Sequence, residues 1–192
     1  MKPLPNSDSV HLANPGLKEW AVVIRALRDG LQIIDLRKGG IQEEGHRFRI
    51  RASRFWLYDS YVHQRFDLIL PDARPLLKVV EAEAPPAEEL HIDSWAEIVE
   101  TVALTEPEQV QRLSGQHLWT SDYAEKRFHW RPKAPLLVLV LRVYRLLEAA
   151  TIPVRAHYAG CASWVPMLDL PEDPRAVPSK PVLKDDVVGF HC

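Results

Sequence analysis

The run Leu136 to Leu146, LLVLVLRVYRL, constrains the fold of this chain more than any other stretch. Its first six residues are apolar at odd and even positions alike, so neither face of a strand built from them can meet water. Beyond them the pattern alternates, with Arg142, Tyr144 and Leu146 opposite Val143, Arg145 and Leu147. Such a strand needs neighbours on both sides and cover on both faces, and it is expected at the centre of a sheet.

The rest of the chain is read around that strand. Residues 1–13 are polar, carry Pro3 and Pro5 and show no periodicity, so they form a flexible arm. Asn14 before Pro15 has the form of a helix start, and Leu17, Trp20, Ile24 and Leu27 then share one helical stripe up to Gly30. Val22 to Ile24 would also suit a strand, but capping signals at both ends favour a helix. Leu31 to Leu36 reads as a strand running into a turn at Arg37-Lys38-Gly39-Gly40. Pro71 to Ala84 has helical spacing and is stopped by Pro85-Pro86. Trp95 to Leu104 alternates as a strand does. Thr105 and Glu108 are spaced as a capping box for a short helix to about Leu113, and a second short helix is expected from Ser121-Asp122 to His129.

Tyr158 to Val165 is the last candidate strand, because Pro166, Pro171, Pro174, Pro178 and Pro181 then exclude regular structure. The expected organisation is an arm over 1–13, one domain over 14–168 and a Pro-rich extended tail over 169–192. Strands and helices do not alternate strictly, which favours α+β over a doubly wound parallel sheet. The class expected is a mixed, curved or barrel-like β-sheet with short helices at its ends.

At 192 residues, with 46% hydrophobic and 26% charged residues, the chain has the makings of one buried core. A net charge of −2 argues against non-specific affinity for DNA, which needs many uncompensated cations. The first residues have no apolar leader and the longest apolar run is too short for a bilayer, so a cytoplasmic protein without membrane contact is expected. Cys161 and Cys192 are then two free thiols.

Chemically, the densest stretch is Arg47 to Arg65, RFRIRASRFWLYDSYVHQR. As a strand, Arg47, Arg49 and Arg51 leave one face while Phe48 and Ile50 leave the other. Phe55, Leu57 and Asp59 then alternate with Trp56, Tyr58 and Ser60, followed by His63, Gln64 and Arg65. Interleaved basic and aromatic groups suit phosphates and stacked bases. The corresponding bland reading is an edge strand kept soluble by charge, with the aromatics in the core.

Five segments together carry a family resemblance: LRKGGI (36–41), LYDSYVHQ (57–64), LWTSDYAEKR (118–127), LRVYRL (141–146) and YAGCASWV (158–165). In these the chain resembles the bacterial family known as domain of unknown function 1802, over roughly residues 15 to 168. Asp59 and Ser60 stand where the family pattern has Pro and Thr, and Asp35 where it has an aliphatic residue. The resemblance implies a setting in restriction or defence, beside a restriction-type nuclease partner, because some members look fused to such a domain. At the level of fold, the element order is similar to PUA-like domains of the EVE and ASCH groups, which implies binding of RNA or modified nucleobases.

These readings combine into a nucleic-acid or modified-nucleobase binding module, with DNA or RNA as partner. Lys38, Arg47, Arg49, Arg51 and Arg65 are the expected backbone contacts. Trp56, Tyr58, His63, Trp119, Tyr123 and Trp164 are the expected base pocket. No catalytic residue and no cofactor is assigned. A metal-dependent nuclease is the first alternative, with Asp35, Asp59 and Glu97 as its carboxylates, although no acid stands two positions before a lysine as restriction-type sites require. His157 and Cys161 have ligand spacing but lack a second pair, so no metal site is assigned. A non-catalytic protein-interaction domain is the second alternative.

Overall fold

The structure, a computed structural model, describes residues 12–38, 48–130, 134–158, 160 and 162–184. Arg47, Gly39, Gly40, Cys161, Cys192 and the 1–11 part of the arm lie outside the described residues.

Seven strands make one open, mixed sheet in the order β2-β5-β4-β3-β1-β6, with β7 also paired to β5. They are β1 (Pro15–Trp20), β2 (Ile34–Arg37), β3 (Arg54–Ser60), β4 (Glu89–Leu104), β5 (Leu136–Pro153), β6 (Trp164–Pro166) and β7 (Ser179–Pro181). The helices are α1 (Ala21–Arg28), α2 (Arg74–Ala82), α3 (Pro107–Gln111) and α4 (Ser121–His129). This is the α+β class expected from the sequence. β1 and β3 run parallel, and the other pairs are antiparallel.

β5 is interior, as its two-faced apolar run requires. β4 borders it along its length, while its other edge takes β2 at Leu137 to Val140 and β7 at Tyr144 to Leu146. Register shifts at Ile92/Ser94 and Ile98/Glu100 bend the β4–β5 ribbon. The bend lets one ribbon serve two hydrophobic clusters. The apolar residues from Leu136 to Val143 belong to the first, with α1, Phe55 and Leu57, whereas Leu146 and Ile152 belong to the second, with Trp56 and Tyr58. The alternating side chains of β3 therefore divide between the two clusters.

Three expectations are corrected. Pro15 to Trp20 is a strand rather than a first helical turn: β3 and β6 supply its hydrogen bonds, and α1 begins only at Ala21. Asn14 does not cap a helix. It has a φ of 48°, and its side-chain amide donates to the Leu170 carbonyl. The start of α1 is instead satisfied from far away, the Val22 N–H donating to Gln64 Oε1 at 2.9 Å. The capping box of α3 is also displaced by one residue, formed by Glu106 and Gln109 rather than by Thr105 and Glu108.

The third correction concerns the segment after Pro166, which has regular structure despite its prolines. It forms a single turn at Pro174–Ala176 and the edge strand β7, where proline is tolerated because only one side is paired. This segment closes the second cluster. Met167 and Leu170 are buried in it, Trp56 Nε1 donates to the Pro171 carbonyl at 3.1 Å, and Trp95 Nε1 donates to Ser179 Oγ at 3.1 Å. Gly16 is needed opposite this strap, because a Cβ there would lie 2.5 Å from Met167 Cγ.

Candidate nucleic-acid interface

The stretch 48–51 is not a strand, and the expected alternation holds only at its start: Phe48 is buried and Arg49 exposed, whereas Ile50 and Arg51 are both half-buried. What holds it is Trp164 in β6. The Trp164 Nε1 donates to the Arg49 carbonyl at 2.9 Å, and its ring stacks on Phe48 with centroids 5.9 Å apart. The Phe55 ring meets the same indole edge-on at 5.1 Å. The arginine segment thus lies across a half-buried tryptophan that is anchored to the core.

Behind Phe48 is a buried ionic centre. The Arg37 guanidinium lies 5.6 Å from the Phe48 ring centroid, bonds Asp35 Oδ2 at 2.6 Å and faces Glu19 Oε2 at 3.1 Å. Burial pushes the Glu19 carboxyl above its ordinary value, against the downward pull of Arg37. Asp35 Oδ1 is buried and has no hydrogen-bond partner among the described residues. Buried charges of this kind survive only when paired, and here the pairing comes from two strands, β1 and β2. An aromatic row flanks it, Tyr123 lying 5.6 Å from Trp20 and 5.8 Å from Trp119 while its hydroxyl accepts from Arg127 at 2.8 Å. Sequence reasoning missed Glu19 and Arg37. The available signal was an acid and a base inside short apolar strands, where an unpaired charge is costly.

Of the expected backbone contacts, Arg49 is exposed and Arg51 half-buried. Lys38 is neither: it is 3% exposed, its Nζ donates to the Phe128 carbonyl at 2.6 Å, and burial lowers its pKa. It secures α4 and is not presented to a phosphate. Arg65 is exposed and already bound through two nitrogens to Asp67, at 3.0 and 2.5 Å.

The expected base pocket is not one pocket. Trp56 and Trp119 are 0% and 1% exposed and act as core residues, because their large rings fill opposite clusters. Tyr58 packs edge-on against Tyr158 in the second cluster, under Lys18, whose Nζ lies 5.1 Å from its ring centroid. His63 is exposed on a turn with a φ of 66°. Tyr123 and Trp164 remain half-buried beside the first cluster.

The three carboxylates weighed for a nuclease answer three different arginines: Asp35 with Arg37, Asp59 with Arg28 and Glu97 with Arg54. Among the described residues no group of three or more His, Cys, Asp or Glu is placed to hold a metal ion. His157 Nε2 lies 3.2 Å from the Pro166 carbonyl. No helix among the described residues is long and apolar enough to cross a membrane.

A family model described as domain of unknown function, DUF1802, matches residues 16–188. No curated protein matches the chain. Among solved structures, a serine-to-alanine mutant of the ASCH protein of Zymomonas mobilis is similar at 12% identity and a TM-score of 0.46, covering 82% of this chain and 89% of that one. The ASCH structure from the same organism is similar at 12% identity and a TM-score of 0.43, covering 80% and 86%.

Proposed function

For this chain, which belongs to the DUF1802 family, we propose a nucleic-acid-binding module that grips phosphates with Arg49 and Arg51 and stacks an unpaired base beside Trp164. The observation that carries this reading is the bond from Trp164 Nε1 to the Arg49 carbonyl, with Phe48 stacked on the same indole. It ties the backbone that carries the arginines to a half-buried aromatic ring, and cations close to a ring are the pairing that recognition of single strands uses. The net charge of −2 fits local contact of this kind better than a broad electrostatic footprint. The restriction setting and nuclease partner implied by the family resemblance are compatible with this role, which needs no catalytic residue in this chain.

The test is a salt titration of binding to labelled single-stranded RNA, single-stranded DNA and duplex DNA. Wild type is expected to bind a single strand at low salt, with Arg49→Ala/Arg51→Ala weaker and its log–log salt slope shallower by roughly 0.7 per lost phosphate contact. Equal binding by the double variant, or no binding at low salt, would reduce the arginines to a solvated surface and leave the protein-interaction alternative in front.

A further inference from the structure

Away from the Trp164 face, a cleft of about 470 Å3 opens between the last turn of α1, the end of β3, the end of α2 and the first residues of β4. Its charged groups are unevenly committed. Arg25 is engaged twice, with Nε bonded to Asp29 at 2.6 Å and Nη1 to Glu83 at 2.9 Å. Arg28, only 10% exposed, donates from Nη1 to Asp93 at 2.6 Å and stands 3.5 Å from Asp59, but its buried Nε has no partner among the described residues. Asp59 is 8% exposed and accepts no hydrogen bond from a described residue. Burial, opposed by Arg28 and reinforced by Asp93, pushes its carboxyl up to about 7.

At the mouth, Arg145 of β5 is exposed, and its guanidinium makes no ion pair or hydrogen bond with a described residue. Val80 and Pro85 supply apolar wall. The floor therefore offers a guanidinium nitrogen without a partner beside a carboxyl whose ion pair with Arg28 is not closed by a hydrogen bond, and the mouth offers an unclaimed cation. Leaving polar atoms without hydrogen bonds is costly unless a ligand completes them.

We propose that this cleft is a nucleotide site, in which a base edge carrying an N–H beside an acceptor meets Asp59 and Arg28 while the phosphate meets Arg145. The volume lies within the range of small-molecule sites. A free nucleoside 5′-monophosphate and a nucleotide within a strand share this chemistry. The site does not depend on the Arg49 and Arg51 face.

The experiment titrates the protein calorimetrically with the four ribonucleoside 5′-monophosphates, ribose 5-phosphate and a short mixed oligoribonucleotide. At least one mononucleotide is expected to bind, and ribose 5-phosphate about tenfold more weakly or not at all. Arg145→Ala, a surface change that leaves packing intact, should weaken the mononucleotide by about tenfold. Asp59→Asn should also weaken it, with thermal unfolding confirming that the variant is folded. Arg49→Ala/Arg51→Ala should leave the mononucleotide unaffected, so the two readings fail separately. Binding of the oligonucleotide alone, weakened by Arg145→Ala in the Arg49→Ala/Arg51→Ala background, would assign the site to a strand nucleotide. Ribose 5-phosphate binding as tightly as the nucleotides, an unchanged Arg145→Ala, or no binding of any probe would overturn the proposal.

Discussion

Asp59 is a carboxyl that the fold holds more easily as the neutral acid than as the anion. The unfolded chain releases this proton near the ordinary 3.8, while the folded chain keeps it to about 7. Between those values the native state binds more protons, so this residue's contribution to stability is fully present below 3.8 and is lost as pH rises through 7. Asn cannot ionise and escapes that loss. Asp59→Asn is therefore expected to be more stable than wild type at pH 8, by at most ~4 kcal/mol, with the difference shrinking as pH falls towards 4. Urea denaturation across pH checks it, and a gain that does not depend on pH would show that charge burial is not the cause. That the chain carries this cost is in keeping with a residue retained for a ligand.

At the scale of elements, α1 depends on a residue far along the chain. Its first turn has no local side-chain cap, and the Gln64 side chain provides one 42 positions away. Gln64→Ala is expected to cost ~1 kcal/mol, the usual loss for a cap. The loss should be concentrated in faster amide exchange at Val22 and Val23, and uniform acceleration along the whole chain would contradict the assignment. α4 behaves in the opposite way: Thr120 Oγ1 accepts from the Tyr123 N–H at 3.3 Å, a cap only three residues away. The nearby His117 is buried and bonded at Nδ1 to the Trp119 carbonyl oxygen at 3.1 Å, with its pKa lowered by burial.

For the whole molecule, the decisive fact is that β3, β4 and β5 contribute to both hydrophobic clusters. Neither cluster can be exposed without bending or breaking a strand that the other needs. Urea unfolding followed by far-UV circular dichroism and by tryptophan fluorescence is expected to give one superimposable transition. Tryptophans report from both sides, with Trp56 and Trp95 in one cluster and Trp119 in the other. Two separated transitions would mean that the strap from Met167 to Pro181 unfolds as an independent unit.

Much of this architecture is legible from local chemistry. The two-faced apolar run Leu136 to Leu141 requires an interior strand, the prolines at 85 and 86 end α2, and Ser121-Asp122 starts α4, because each of these depends on groups a few residues apart. The candidate sites were less legible. Arg49 is exposed as the alternation suggests and Arg51 is half-buried, but Trp56 and Trp119 are core, and a tryptophan's sequence neighbours do not say which side of a sheet will be covered. Tertiary structure alone decided that Pro15 to Trp20 is a strand, since its hydrogen bonds come from β3 and β6. It also decided that Arg37, with Glu19 and Asp35, forms the buried ionic centre while Lys38 secures α4, because a charge can be buried only where distant strands bring it a partner.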